Sequence, residues 1–224
     1  TWSIPTIGIR KKSMKWTLKL IVDWVIISTT VVLCSYYPIL TLLGIFIVGS
    51  RLQALSIIGH MACHNFCSTN KTLNKWLQYI AFYPLGVSPT RYKKFHFAHH
   101  RWLGDPQKDP EVLLQLEVKD RWLQHRSKDL LLDLCGAHYD EILQIFKYVG
   151  NKYSVLFTVC IQALLVVFVS YYWLMWSIAT LTTFMFIFRL RAWTEHDHLN
   201  RPGLTLKTNK PVLWKRLLYL PHDT

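Results

Sequence analysis

At 224 residues the chain is long enough for one compact unit. Half of it (51%) is apolar, and its net charge is +13. The placement of that charge argues against a nucleic-acid patch: of 26 Lys and Arg, five lie in residues 1–19, thirteen in 60–153 and seven in 189–224, and only Arg51 falls inside an apolar block.

The N-terminus is basic (Arg10, Lys11, Lys12, Lys15) and then apolar, in the order of a signal peptide. No small-x-small cleavage pattern follows Cys34, and a second apolar stretch comes soon after, so the segment reads as a retained anchor. Residues 18–35 and 38–59 are predicted to form a helical hairpin around Tyr36-Tyr37-Pro38, with the second helix carrying His60 and His64 at its end. Beyond it, N-K-T-L-N-K-W-L-Q-Y-I (70–80) is amphipathic, and F-Y-P-L-G-V-S-P-T (82–90) is broken by prolines. R-Y-K-K-F-H-F-A-H-H-R-W (91–102) is predicted helical, ending at G-D-P (104–106). Residues 111–125 and 140–148 read as surface helices at a bilayer interface. Residues 155–188 hold no charge. A bilayer core takes ~20 helical residues, so this block reads as two spans, 154–170 and 172–188, turning near Ser170–Trp173. The tail 189–224 is polar and basic again.

Four spans with every basic segment on one side satisfy the positive-inside rule. The expected fold is therefore all-α and polytopic, a single membrane domain over 1–224. It has four transmembrane helices in two hairpins, with cytosolic segments 1–17, 60–153 and 189–224, the middle one forming a helical cap. Five cysteines give no disulfide framework, and Cys63, Cys67 and Cys135 fall on the predicted cytosolic side, where thiols stay reduced. Cys63 and Cys67 interleave with His60 and His64. A mixed Cys/His zinc site is one reading, and small packing residues the commoner one. Gly-rich phosphate loops, repeats and nucleophile elbows are lacking.

The chemistry lies in two histidine clusters, G-H-M-A-C-H-N (59–65) and F-H-F-A-H-H-R-W (95–102). His60 and His64 are spaced i, i+4; His96, His99 and His100 are spaced i, i+3, i+4, so on a helix each cluster turns its imidazoles to one face. Ionisable groups at a membrane edge are costly unless they have a task. Five imidazoles at these spacings point to a nitrogen-rich metal site suited to iron, zinc, copper or nickel. Met61 and Ala62 stand where a zinc protease H-E-x-x-H needs its Glu. Haem ligands come singly from separate helices rather than in clusters. Asp105, Asp109 and Glu111 are candidates to hydrogen-bond ligand imidazoles, or equally to cap a turn at G-D-P and D-P-E. His125 and His138 read as surface residues and His198 as a solvated loop residue; Asp23 and Arg51 are positioned to pair.

At these residues the chain resembles the membrane fatty acid desaturases and their hydroxylase and ketolase relatives, which share boxes H-x-(3–4)-H, H-x-x-H-H and a third, C-terminal H/Q-x-x-H-H. H-M-A-C-H matches the first box and H-F-A-H-H the second; R-W-L-G-D-P-Q-K-D-P-E (101–111) is similar to the stretch that follows it. W-T-E-H (193–196) resembles the point where the family supplies another ligand. The resemblance implies a di-iron centre, with two iron ions held by His60, His64, His96, His99, His100 and His196, and His222 packed near the site without binding iron. It implies O2-dependent oxidation of a lipid acyl chain, foremost desaturation, on the cytosolic face of a multi-pass membrane protein, with electrons from a donor such as a ferredoxin or cytochrome b5-type protein. A hydroxylase or carotenoid ketolase on the same scaffold, and a non-catalytic membrane metal-binding protein, are the alternatives. No third H-x-x-H-H occurs, so the chain is expected to be a C-terminally truncated fragment.

Overall fold

In the computed structural model, residues 12–117 and 127–196 are described, and every regular element among them is helical. Helix α1 (Lys12–Tyr36) and helix α2 (Thr41–Cys63) form the first hairpin. Pro38 has no N–H to continue α1 and a φ already suited to a new turn, and a 3-10 turn at Pro38–Leu40 reverses the chain. The two helices close tightly at Gly44, where a Cβ would lie 2.5 Å from both Cys34 Sγ and Met175 Cε. Arg51 donates to Asp23 across the hairpin at 3.1 Å, and both residues are buried. The outer face of α1 is apolar and open (Ile21, Val25, Val32), as a lipid-facing helix requires.

Helix α3 (Lys71–Phe82) starts where the Asn70 side chain accepts from the Thr72 and Leu73 amides. It packs along the end of α2. Proline then breaks the chain into a 3-10 turn at Tyr83–Leu85, closed by Gly86 at φ 72. Helix α4 (Pro89–Trp102) is capped by Ser88 and opened by Pro89. Helices α5 (Pro110–Glu117), α6 (Ser127–Leu134) and α7 (Tyr139–Val149) complete the intervening segment. The second half of the surface helix expected at 111–125 lies outside the described residues. Arg91 ties α4 to the end of α7 by donating to the carbonyls of Lys147 and Gly150.

Helix α8 (Lys152–Phe168) begins with a capping box made by Asn151 and Ser154. The uncharged block turns at Ser170, as expected, and returns as one continuous rod. Its parts are a 3-10 turn at Tyr171–Trp173, α9 (Leu174–Ala179), a π turn at Thr180–Phe184 and α10 (Met185–His196). The π turn lies against α2 at Gly49, where a Cβ would stand 2.6 Å from Thr183 Cβ. Among the described residues, three helices are long and apolar enough to cross a bilayer: Met14–Tyr36, Pro38–Cys63 and Tyr171–Arg191. Helix α8, the remaining apolar helix of the expected four, is 17 residues long, because Asn151 and Ser154 fix its start and Ser170 its end.

Candidate metal centre

The first histidine pair is set by the way α2 ends. Asn65 takes φ 60, a left-handed conformation that Asn tolerates better than most side chains. The amides of Asn65 and Phe66 then turn back onto the carbonyls of Ala62 and Met61. Gln78 of α3 donates to Ala62 O at 3.1 Å, satisfying a helix-end carbonyl between the two histidines. Gly59, the residue before His60, faces Phe82 so closely that a Cβ would lie 2.3 Å from its ring. The first cluster is therefore pinned by α3 as well as by its own helix.

Helix α4 brings the second cluster to the first. His64 Nε2 and His96 Nε2 lie 2.7 Å apart, and His100 Nε2 and His96 Nε2 lie 2.9 Å apart. His60 is 4.4 Å from His96 between ring centroids. One nitrogen from each of His60, His64 and His96 lies within 4.8 Å of the others. Tyr92 stacks on His96 and Phe66 on His64, at interplanar angles of 15° and 17°, fixing both ring planes.

This geometry fits a bound cation. Two nitrogens on adjacent positions of a metal at about 2.1 Å stand about 3 Å apart, close to the separations observed. The protonation states fit too. His96 is pushed down to about 3, first by burial and then by the imidazoles of His100, His64 and His99 and by Arg191. Burial likewise lowers His64 and His100, aided by His100 and Lys93 for the former and His99 for the latter. Neutral rings keep their lone pairs for a metal. Cys67, in contrast, is buried, with its thiol pushed up to about 12 by burial and its Sγ set against Ile58 O, so it packs apart from the imidazole group.

His99 is placed differently from its neighbours. Its Nδ1 lies 2.9 and 3.0 Å from the two oxygens of Asp109, and its Nε2 lies 3.1 Å from Glu111 Oε2. Asp109 is fully buried and also accepts from the amides of Gly104 and Glu111. Orienting an imidazole and capping the turn, posed as alternatives, are thus combined in one carboxylate. Asp105 accepts from the amides of Gln107 and Lys108, in the capping role. His196 is the last residue of α10; its side chain, together with His125, His198 and His222, lies outside the described residues. Helix α10 packs against α2, the helix that carries His60.

His138 corrects its reading as a surface residue: it is 5% exposed and its Nδ1 lies 2.8 Å from Asp133. Arg189 donates to Asp133 through Nε at 2.5 Å and Nη2 at 3.0 Å, and to Glu141 through Nη2 at 2.9 Å. This group was missed. The available signal was Arg189 itself, the first charge after the uncharged block, which a buried carboxylate had to answer.

The family profile for fatty acid desaturase matches residues 35–224. Dihydrorhizobitoxine desaturase of Bradyrhizobium elkanii is 36% identical over 72 residues, 31% of this chain and 20% of that protein. The match therefore spans a fifth of that relative's length. No solved structure matches.

Proposed function

Since the chain belongs to the fatty acid desaturase family, we propose that it inserts a double bond into a lipid acyl chain at a di-iron centre, using O2. The observation that carries this reading is the convergence of His64, His96 and His100 nitrogens beside His60, at the end of an apolar helix. In the proposal His60, His64, His96, His99, His100 and His196 hold two irons. When bound, the metal supplies the oxidising power toward an unactivated C–H bond that no side chain offers.

The chain's own residues do the rest. Asp109 accepts from His99 Nδ1–H, which leaves Nε2 as the lone-pair nitrogen. His99 Nε2 and Glu111 Oε2, 3.1 Å apart, present a nitrogen and an oxygen donor to one cation in this reading. The stacked rings of Tyr92 and Phe66 exclude water from one side of the imidazoles. The open face of α4 carries Lys93, Lys94 and Arg101, a basic surface on which an acidic ferredoxin or cytochrome b5-type donor docks in this reading. The histidine end of α2 is proposed to face the cytosol, with the protein embedded as a multi-pass membrane protein.

The test is metal analysis of the purified protein beside the lipid profile of cells expressing it and its His96→Ala variant. An unsaturated product that disappears in the variant is expected. Oxygen from 18O2 retained in the product would favour a hydroxylase or ketolase. Stoichiometric zinc with no new product would reject the oxidative reading.

A further inference from the structure

Outside the histidine centre, the described residues hold a second cluster of buried ionisable groups. Asp133 and Glu141 are fully buried, Arg189 is 1% exposed and His138 5%. Asp133 and His138 come from α6 and the turn after it, Glu141 from α7, and Arg189 from α10. The hydrogen bonds join the four residues in one network. Both hydrogens of Arg189 Nη2 go to carboxylates, Asp133 Oδ1 and Glu141 Oε2, and Nε takes the other Asp133 oxygen. The close approach of His138 Nδ1 to Nη2 (3.2 Å) is therefore not a bond donated by the arginine, and the network assigns the Nδ1 proton to Asp133. The turn between α6 and α7 rests on the π turn: a Cβ on Gly136 would meet Thr182 and Leu181 at ordinary contact distance.

We propose that Asp133, His138, Glu141 and Arg189 form a clamp that fixes the rotation and height of α10 against the intervening segment, and so positions the helix that borders the histidine centre. A planar guanidinium forked onto one carboxylate and tied to another admits one orientation. Rotating α10 by even part of a turn breaks the fork. Beyond the clamp, α10 packs against α2, the helix that carries His60. His196, the ligand carried by the family resemblance, follows Arg189 on the same helix. Helix α10 is thus locked to the clamp and packed on a helix of the histidine centre. Arg189 is a positioning residue in this proposal, and the link to iron rests on the functional reading above.

The experiment separates positioning from stability. In the quadruple variant Asp133→Leu/His138→Leu/Glu141→Met/Arg189→Met, apolar side chains replace the whole buried polar network, a change that is often neutral or stabilising. The full chain, in detergent, is assayed for thermal midpoint, iron affinity and the distance between nitroxides at positions 97 and 190, with Cys135 and Cys160 replaced by Ser. The quadruple variant is expected to fold with an unlowered midpoint, a shifted or broadened distance, and iron bound about 10-fold more weakly. Wild-type distance or wild-type iron affinity in that variant overturns the proposal. Should it fail to fold, Arg189→Lys carries the same readouts, because lysine keeps the charge and loses the fork. Its distance must shift or broaden, and an unchanged distance overturns the clamp. A wild-type protein that holds no iron sinks the functional reading instead, and the distance arm then decides the clamp by itself.

Discussion

Replacing Gly59 with Ala tests how the first histidine pair is held. The added Cβ would lie 2.3, 2.5 and 2.6 Å from three carbons of the Phe82 ring. Ordinary carbon contacts are about 3.5–4.0 Å, so the overlap exceeds about 1 Å. Phe82 is 2% exposed and cannot swing away. Helices α2 and α3 must therefore part, and Gln78, which holds Ala62 O, moves with α3. Overpacking of this kind costs about 1–3 kcal/mol. The better helix propensity of Ala returns up to about 1 kcal/mol. An overlap this large on a buried ring takes the upper part of that range, about 2–3 kcal/mol, so the net expectation is destabilisation of about 1–2 kcal/mol, with weakened metal binding because His60 is the next residue. Denaturant unfolding in micelles measures the first effect and iron per chain the second. Phe82→Leu in the Gly59→Ala background removes the clashing ring atoms and is expected to restore part of both. A Gly59→Ala variant as stable as the wild type, with full iron, would refute the close approach and the support it gives the histidines.

Alanine at His60, His64, His96, His99, His100 or His196 is expected to abolish product and lower bound iron, read by lipid profile and metal analysis; full activity in His96→Ala would reject the centre. His138→Ala strips a hydrogen bond from a buried carboxylate and is expected to destabilise by about 1–3 kcal/mol; an unchanged thermal midpoint would return it to the surface. His96 is held down to about 3 from an ordinary 6.5, so the unfolded chain binds more protons than the folded one between those values. The metal-stripped protein is therefore expected to hold its stability above about pH 6.5 and lose it as pH falls toward 3. Unfolding midpoints at pH 7.5 and 5 check this against His96→Ala, in which the acid loss should be smaller; an equal loss in both would remove His96 as its source.

The hairpin turns at Pro38 and Ser170, the helix through the second cluster and the spacing of each cluster were legible because each depends on a few consecutive residues. Proline cannot extend a helix, and i, i+4 imidazoles share a face whatever surrounds them. The length of α8 was less legible: hydropathy does not mark where Asn151 caps the helix or where Ser170 breaks it. Burial of His138 was not legible at all, because it depends on Arg189, fifty-one positions away in the chain.

By itself, the sequence determined the apolar spans, the two histidine clusters and the chemistry those clusters suit, since side-chain identity and local spacing decide all three. Tertiary structure alone decided that His64, His96 and His100 converge within 2.9 Å of one another along the chain of contacts, while His99 turns to Asp109 and Glu111. It also decided that Gly59 is filled by Phe82 and that Arg189 closes on Asp133 and Glu141. The physical reason is that a helix fixes only the direction of a side chain. Its partner is set by which other helix packs against that face, and by the cost of leaving a buried charge without one.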